Sequence, residues 1–425
     1  MTDNEKLERV LDFPSLIAKN PNLAQYYNQR LNVYNFGSND AVIELTKTLF
    51  ETNLGFKVKI NDSKLCPRFF NRLDYVIFID HLLWDTLSTE AHFRKVEHEV
   101  KYVGLDIGCG QIAVYGLMCA SVMKNLKCMI CTDIDDESIK TATANISRNE
   151  LSDKLIVRHV DRSRNSFASL AEMLTDADAD KTAAFSMCNP PFYSSCAEMS
   201  CKNAFKRQKT NSMGEYVTGT ENELLTNGGE LAFIRKLVQD SKNVSNKHSV
   251  IWFTSLAGNY KTVKTLVQND FAQDPDFNFG VHSFVSGNSR NATKRWIIYW
   301  SFRLTRPPIG VSKTNLVGSR YEFTVKCGLS IRINEDDLAN LNDIKCERIN
   351  ADVLLVHFPG DRWSRAYRRS LKHINNATQQ NDDCWFRIEN GSSHIVIYWL
   401  YRTRHKLLET FCGFHRLLIQ SKESK

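Results

Sequence analysis

The chain has 425 residues, 42% of them hydrophobic and 11% aromatic, which supplies two or three ordinary domains and excludes a globally disordered chain. There is no run of about 18 apolar residues, and Met1 to Lys6 lack a signal-peptide core, so a membrane or secreted protein is disfavoured and a soluble intracellular one expected. Net charge is +7, and Arg306 to Lys425 carry 19 Lys and Arg against 13 Asp and Glu, a net of +6 that points to a polyanion-binding tail.

Residues 1–36 read as one or two short helices, broken at Asn20-Pro21-Asn22 and turning at Phe36-Gly37-Ser38. Ser38 or Asn39 caps a helix through Val42, Leu45, Leu49 and Phe50, which Gly55 ends. Residues 56–60 read as a short strand and 65–68 as a loop. Leu73, Val76, Ile77, Asp80 and Leu83 mark an amphipathic helix. Residues 1–100 are thus an N-terminal helical extension, expected to act as a substrate and cofactor lid.

From Lys101 strands and helices alternate. Predicted strands cover 101–107, 127–133, 154–160, 182–188, 247–255, 279–285 and 293–302; predicted helices cover 111–124, 136–148, 166–174, 226–241 and 259–269. That order implies a mostly parallel sheet covered on both faces. Seven strands, the last two sequential, match the methyltransferase variant of the doubly wound α/β fold over residues 101–305. Pro307-Pro308-Ile309-Gly310 reads as a linker. Residues 306–425 then form a basic α+β domain, with strands at 318–333 and 352–358, a helix at 361–375, two strands within 384–401 and a last helix at 402–420. The twelve cysteines are scattered, as suits free thiols. Cys128 and Cys131 lie in an apolar run with no second pair nearby, which favours core packing over zinc, and no metal is expected.

Three strand ends carry chemistry. Leu105-Asp106-Ile107-Gly108-Cys109-Gly110 closes the first strand with a glycine turn that lets backbone approach a ligand. No third glycine follows at dinucleotide spacing, and Asp106 would repel a pyrophosphate, so an amino-acid moiety fits better. Asp133 ends the second strand, where a carboxylate can accept from ribose hydroxyls, while Asp135 or Asp136 caps the next helix. Asp161, after the third strand, is either an acceptor for an adenine amine or a solvated carboxylate. Met187-Cys188-Asn189-Pro190-Pro191-Phe192-Tyr193 follows a buried strand. Its prolines lock φ and donate nothing, presenting the Asn189 amide and the Pro190 carbonyl as two acceptors with Phe192 behind them. Two acceptors beside a ring face suit the exocyclic amine of a flat heterocycle. The plain alternative is a capped strand end with a Pro-Pro turn and a core Phe. Together the three ends read as a class I S-adenosylmethionine site with an acceptor amine beside it.

Two basic features add to this. Lys202, Lys206, Arg207 and Lys209 lie in a polar loop that suits a phosphate clamp or is simply solvated. Arg362, Arg365, Arg369 and Lys372 fall within an arc of about 80° on the predicted tail helix, opposite Trp363, Tyr367, Leu371 and Ile374, and form an RNA-binding ridge.

Leu11-Asp12-Phe13, Tyr26 to Tyr34, Leu65-Cys66-Pro67, Arg72-Leu73-Asp74-Tyr75, Leu105 to Gly108, Asp133 to Asp136, Asn149 to Asp153, Cys188 to Phe192, Gly228-Gly229-Glu230-Leu231 and Lys294-Arg295-Trp296 occur in one order. Over residues 11–305 the sequence resembles the methyltransferase-10 domain family. That family holds the U6 small nuclear RNA adenine-N6 methyltransferases (methyltransferase-like protein 16 type) and a bacterial 23S ribosomal RNA counterpart. The resemblance implies N6-adenosine methylation, S-adenosylmethionine as cofactor with S-adenosylhomocysteine as product, and U6 small nuclear RNA as the substrate. It implies Arg72 on the cofactor carboxylate, a C-terminal domain gripping an RNA stem, and a nuclear location, with the cytoplasm as an additional one. No membrane partner is expected, and a monomer is. The chain departs from the family with Asp133 for Glu, Thr218-Gly219-Thr220 for Thr-Gly-Gly, and Ser163 and Arg164 for a lysine and a threonine. The competing readings are methylation of a protein glutamine amide by the same mechanics, and an RNA-binding or chaperone module with incidental methylation.

Overall fold

The computed structural model describes residues 11–94, 100–174, 182–200, 219–245, 247–273, 277–286, 293–309, 311, 321–328, 331–338, 344–358, 384–401, 419 and 422. Contacts divide the chain into two units: residues 1–84, 97–266 and 282–301, and residues 85–96, 267–281 and 302–425.

The first unit begins with α1 (Phe13–Lys19), a short 3-10 turn and a two-stranded hairpin, β1 (Tyr27–Asn28) and β2 (Val33–Tyr34). In α2 (Asn39–Leu54) Ser38 Oγ accepts from the Ala41 N–H, and Gly55 ends the helix at φ 73°. Residues 56–60 form no strand, contrary to their alternation. Their backbone bonds go instead to three amide side chains. Asn149 accepts from the Lys57 N–H at 2.9 Å and donates to its carbonyl at 2.9 Å. Asn145 does the same for Lys59 at 2.7 and 2.9 Å, and Gln111 for Asn61 at 2.6 and 3.0 Å. Every second residue is paired as in a ladder, while Val58 and Ile60 are buried between. α3 (Phe69–Arg94) follows, longer than its apolar spacing alone predicts.

The sheet then builds from β3 (Lys101–Ile107), α4 (Val114–Val122), β4 (Leu126–Asp133), α5 (Asp136–Arg148), β5 (Leu155–His159), α6 (Ala168–Met173), β6 (Thr182–Cys188), α7 (Glu221–Leu224), α8 (Gly229–Lys242), β7 (Val250–Ala257), α9 (Tyr260–Thr265), β8 (Asn278–Ser286) and β9 (Thr293–Ser301). Strand order is β5-β4-β3-β6-β7-β9-β8. β3 pairs in parallel with β4 and β6, and β7 pairs antiparallel with β9. This is the seven-stranded mixed sheet of class I methyltransferases. All of β6 and β7 is buried, as expected of central strands covered on both faces. Fully buried Trp252 and Phe253 each contribute about 1.5–3 kcal/mol by burial. Cys128 and Cys131 are free and buried in β4. Connections run outward from β3 to β5 and then cross to β6, so the order reverses between β3 and β6. In open α/β sheets that crevice is where ligands bind.

The second unit contains a five-stranded antiparallel sheet ordered β10-β14-β13-β12-β11. Its members are β10 (Glu322–Lys326), β11 (Lys345–Asn350), β12 (Val353–Phe358), β13 (Cys384–Asn390) and β14 (His394–Tyr401), with the one-turn helix α10 (Glu335–Leu338) after β10. β13 alternates buried and half-buried along its length, and Phe358, Phe386, Ile388, Ile397 and Trp399 fill one face. No sequence pattern marks β11, an edge strand whose burial is confined to half-buried Cys346. The predicted helices at 361–375 and 402–420 lie almost wholly outside the described residues.

Candidate active site

Register brings the three chemical strand ends level. Ile107 of β3 pairs with Thr132 of β4 and with Cys188 of β6, so Gly108, Asp133 and Asn189 each stand one residue past that row. Adjacent strands are about 4.8 Å apart, which puts Gly108 and Asn189 within one small ligand's reach on either side of the crevice.

The glycine turn is held from β4. The Thr132 carbonyl accepts from the Gly108 and Cys109 N–H groups, both at 2.9 Å, and Asp133 Oδ2 accepts from the Gly110 N–H at 2.8 Å. Gly108 and Gly110 have φ of 74° and 63°, where a side chain is strained, and a Cβ built on either meets nothing within 4 Å. The turn is hollow on the ligand side. Asp133 Oδ1 also accepts from the Ile134 and Asp135 N–H groups, at 2.8 and 3.1 Å. Three of about four carboxylate lone-pair positions are filled, leaving one, on Oδ2, for a hydroxyl. Burial pushes the Asp133 carboxyl up, against the pull of those N–H donors. Asp135, rather than Asp136, caps α5 by accepting from the Ser138 N–H at 2.7 Å, and buried Lys64 reaches it at 2.7 Å. Burial works to raise the Asp135 carboxyl, but the Lys64 and Ser138 donors together draw it below its usual range.

Asp106 is fully buried, and neither carboxylate oxygen has a hydrogen-bond partner among the described residues. Burial first, and then the Asp133 charge, hold its carboxyl well above the usual range, opposed by Arg72. A cationic donor such as an α-amino group would complete it, and its carboxylate neighbour would suit the half-buried Arg72 guanidinium. The residues present therefore fit the amino-acid end of S-adenosylmethionine. Asp161 lies exposed beyond β5, its Oδ1 accepting from Ser163 N–H and Oγ at 2.7 and 2.6 Å.

At the β6 end, Pro190 is buried and Asn189, Pro191 and Phe192 are half-buried. Arg72 Nη1 donates to Asn189 Oδ1 at 2.8 Å and to the Tyr115 hydroxyl at 3.0 Å. Tyr75, one turn along α3, accepts from the Cys188 N–H at 3.4 Å. Its hydroxyl bonds Thr254 Oγ1, which in turn donates to the Ser186 carbonyl at 2.6 Å. In the sequence Tyr75 appears only within the Arg72–Tyr75 motif and Tyr115 carries no signal, since buried tyrosines look like core until their hydroxyls are seen.

Phe192 is placed from β7 and β9. A Cβ at Gly258 would stand 3.0 Å from two Phe192 ring carbons and 3.3 Å from Glu230 Oε1. Glu230, at 4% exposure, accepts from the Gly258 N–H, and the Arg295 guanidinium stands 5.9 Å from the Phe192 ring centroid. Burial raises the Glu230 carboxyl, with Arg295 among the groups opposing it. In the sequence Glu230 and Arg295 are visible only as parts of longer motifs, and nothing there marks Gly258. Glu223 ties Thr220 to the N-terminal extension: its carboxylate accepts from the Thr220 N–H at 2.8 Å and the Leu65 N–H at 3.1 Å.

Lys202, Lys206, Arg207, Lys209, Arg362, Arg365, Arg369 and Lys372 lie outside the described residues. Among the described residues no group of three or more His, Cys, Asp and Glu is placed to hold a metal ion. Among them also, no helix is long and apolar enough to cross a membrane.

The model of an RNA methyltransferase family, Methyltransf_10, matches residues 2–303. The chain is similar to the U6 small nuclear RNA (adenine-(43)-N(6))-methyltransferase of Schizosaccharomyces pombe, at 27% identity over 391 residues, 89% of this chain and 93% of that protein. It is similar to ribosomal RNA large subunit methyltransferase F of Christiangramia forsetii, at 30% identity over 301 residues, 68% of this chain and 96% of that protein. Among solved structures it is similar to the hMettl16 catalytic domain in complex with the MAT2A 3'UTR hairpin 1. That likeness has a TM-score of 0.56 at 27% identity and covers 69% of this chain and 92% of that one.

Proposed function

The chain belongs to the Methyltransf_10 family of RNA methyltransferases, S-adenosylmethionine-dependent enzymes of the adenine-N6 class, and from that premise we propose that it methylates one adenosine of U6 small nuclear RNA. The observation that carries the reading is the level row of Gly108, Asp133 and Asn189 at the reversal of strand order. The substrate follows the S. pombe relative, whose match runs through both units. The match to the ribosomal RNA enzyme covers 68% of the chain, and it makes large-subunit RNA the second reading.

Bound in the crevice, S-adenosylmethionine supplies an electrophilic methyl group. Arg72 would hold its carboxylate, Asp106 its amino group, Asp133 a ribose hydroxyl and Asp161 the adenine amine, with Gly108 and Gly110 giving close backbone approach. Asn189 Oδ1 and the Pro190 carbonyl accept the two hydrogens of the target amine. The adenine N6 lone pair is delocalised into its ring and nucleophilically poor. Two acceptors favour a pyramidal nitrogen whose lone pair points at the methyl, so orientation supplies most of the acceleration and no strong base is needed. Pro191 fixes the backbone and Phe192 stacks on the base. An adenine within a helix cannot reach this site, so the target is bulged, looped or flipped. Lys202, Lys206, Arg207 and Lys209, with the ridge of Arg362, Arg365, Arg369 and Lys372, meet the phosphates of a structured RNA. With that substrate the proposed location is the nucleus.

The test is methyl transfer from labelled S-adenosylmethionine to U6 and to large-subunit ribosomal transcripts, with total protein alongside, and digestion to nucleosides. N6-methyladenosine in U6, lost in Asn189→Ala, is the expected result. Label confined to ribosomal transcripts would replace the substrate, and label in protein glutamine would overturn the reading.

A further inference from the structure

We infer that Arg72 is a positioning residue for Asn189: it locks the amide in the one orientation that accepts from the substrate amine. The inference rests on the methyl-transfer reading above and adds to the cofactor role of Arg72. An asparagine amide has two nearly isosteric orientations, one turning oxygen and the other NH2 toward a given neighbour. Left to itself, Asn189 would sample both, and the flipped one sets N–H against the N–H groups of an incoming amine.

Arg72 removes the choice. A guanidinium has donors and no acceptor, so the 2.8 Å contact of Nη1 is a bond only with Oδ1 facing it. Turned over, the amide would face Nδ2 hydrogens against a cation. The second lone pair of Oδ1 stays available to the substrate. The guanidinium itself is pinned, since Nη1 also donates to the hydroxyl of Tyr115, a ring of 1% exposure whose centroid lies 5.7 Å from the guanidinium carbon. Tyr75 holds the Cys188 N–H from the next turn of the same helix. Side chain and preceding peptide of the strand end are thus both referenced to α3. Lysine cannot substitute, because a rotating ammonium lacks the planar fork that meets Tyr115 and Asn189 at fixed angles.

The test separates amine recognition from cofactor binding and from turnover. The full chain is saturated with S-adenosylhomocysteine, each variant at a concentration set by its own calorimetric titration. It is then offered two single-stranded oligonucleotides, one with adenosine at the target position and one with purine riboside, which lacks the amine. Fluorescence anisotropy gives the ratio of affinities. The unmodified protein should prefer adenosine about five- to 150-fold, the ratio that the two net hydrogen bonds to Asn189 and the Pro190 carbonyl carry. Asn189→Ala, Arg72→Gln and Arg72→Lys should each lower the ratio about two- to tenfold, leaving the share carried by the Pro190 carbonyl. Tyr115→Phe, which loosens Arg72 without altering its charge, should lower it partway, and it guards against a misfolded Arg72 variant. Arg72→Lys and Arg72→Gln that keep the full preference while Asn189→Ala lowers it would overturn the positioning role alone. No preference in the unmodified protein would overturn the amine-acceptor reading beneath it.

Discussion

Gly258→Ala should separate catalysis from stability. No left-handed φ is needed at Gly258, so the cost of a methyl there is steric alone. The new Cβ would stand 3.0 Å from Phe192 Cδ1 and Cε1, where comfortable contact begins about 0.5 Å farther out. Phe192 is half-buried and can withdraw by that distance, so the stability loss should stay below about 1 kcal/mol, less than an overpacked core costs. Withdrawal has another effect on chemistry. Functional groups must sit within about 0.5 Å of their productive place, and a 1 Å error costs about a hundredfold. Half that error points to a rate loss of about tenfold, or about 1.4 kcal/mol of transition-state stabilisation. The contrast is Gly104→Ala, whose Cβ would lie 2.7 Å from the fully buried Phe185 ring and should unfold the core instead. The assay is single-turnover transfer at saturating RNA and cofactor, beside thermal melts. Phe192→Leu supplies the check: with the ring gone, adding Gly258→Ala should cost little more. A wild-type rate for Gly258→Ala, or losses that multiply in the double variant, would refute the account of how Phe192 is placed.

Asp133→Ala removes the acceptor of three backbone N–H groups and should cost about 2–3 kcal/mol of stability and at least about tenfold in S-adenosylhomocysteine affinity. Calorimetry showing unchanged affinity would move the ribose contact elsewhere. Because burial holds the Asp106 carboxyl above its usual range, its contribution to folding is fullest below about pH 3.9 and is lost as pH rises toward the folded value. Asp106→Asn should therefore raise Tm in cofactor-free protein by an amount that grows as pH rises above about 3.9, while weakening cofactor binding. A gain flat in pH would place the titration on another group. Charge reversal of Arg362, Arg365, Arg369 and Lys372 should weaken binding of structured RNA and flatten its salt dependence by about one counterion per lost contact. A short oligonucleotide should still be methylated at a similar saturated rate, and an unchanged salt slope on the structured RNA would leave the ridge facing solvent.

The strands of the large sheet were legible because burial on both faces writes continuous apolar runs, and β3 and β6 begin and end where those runs do. Gly108, Asp133 and Asn189 were legible for the same reason, since each terminates such a run. What was not legible depends on partners distant in sequence. Residues 57–61 alternate like a strand, yet their partners are side chains about 50 to 90 residues away. The Tyr115 hydroxyl acquires meaning only from an arginine 43 residues earlier. Gly258 and Phe192 meet because β6 and β7 are neighbours, which no local pattern states. β11 failed for a different reason: an edge strand with one half-buried side chain leaves almost no alternation to read.

The amide ladder over Lys57, Lys59 and Asn61 fastens the N-terminal extension without a single charge, unlike the Lys64–Asp135 pair beside it. Neither added salt nor a change of pH across the neutral range acts on it, so salt titrations of RNA binding leave this part of the attachment in place. Its weak point is covalent. Deamidation of Asn145 or Asn149 would exchange an NH2 donor for an oxygen facing the Lys59 or Lys57 carbonyl, turning an attraction into a repulsion. Ageing of a preparation, rather than its buffer, is then what would release this segment, and the loss would not reverse on dialysis.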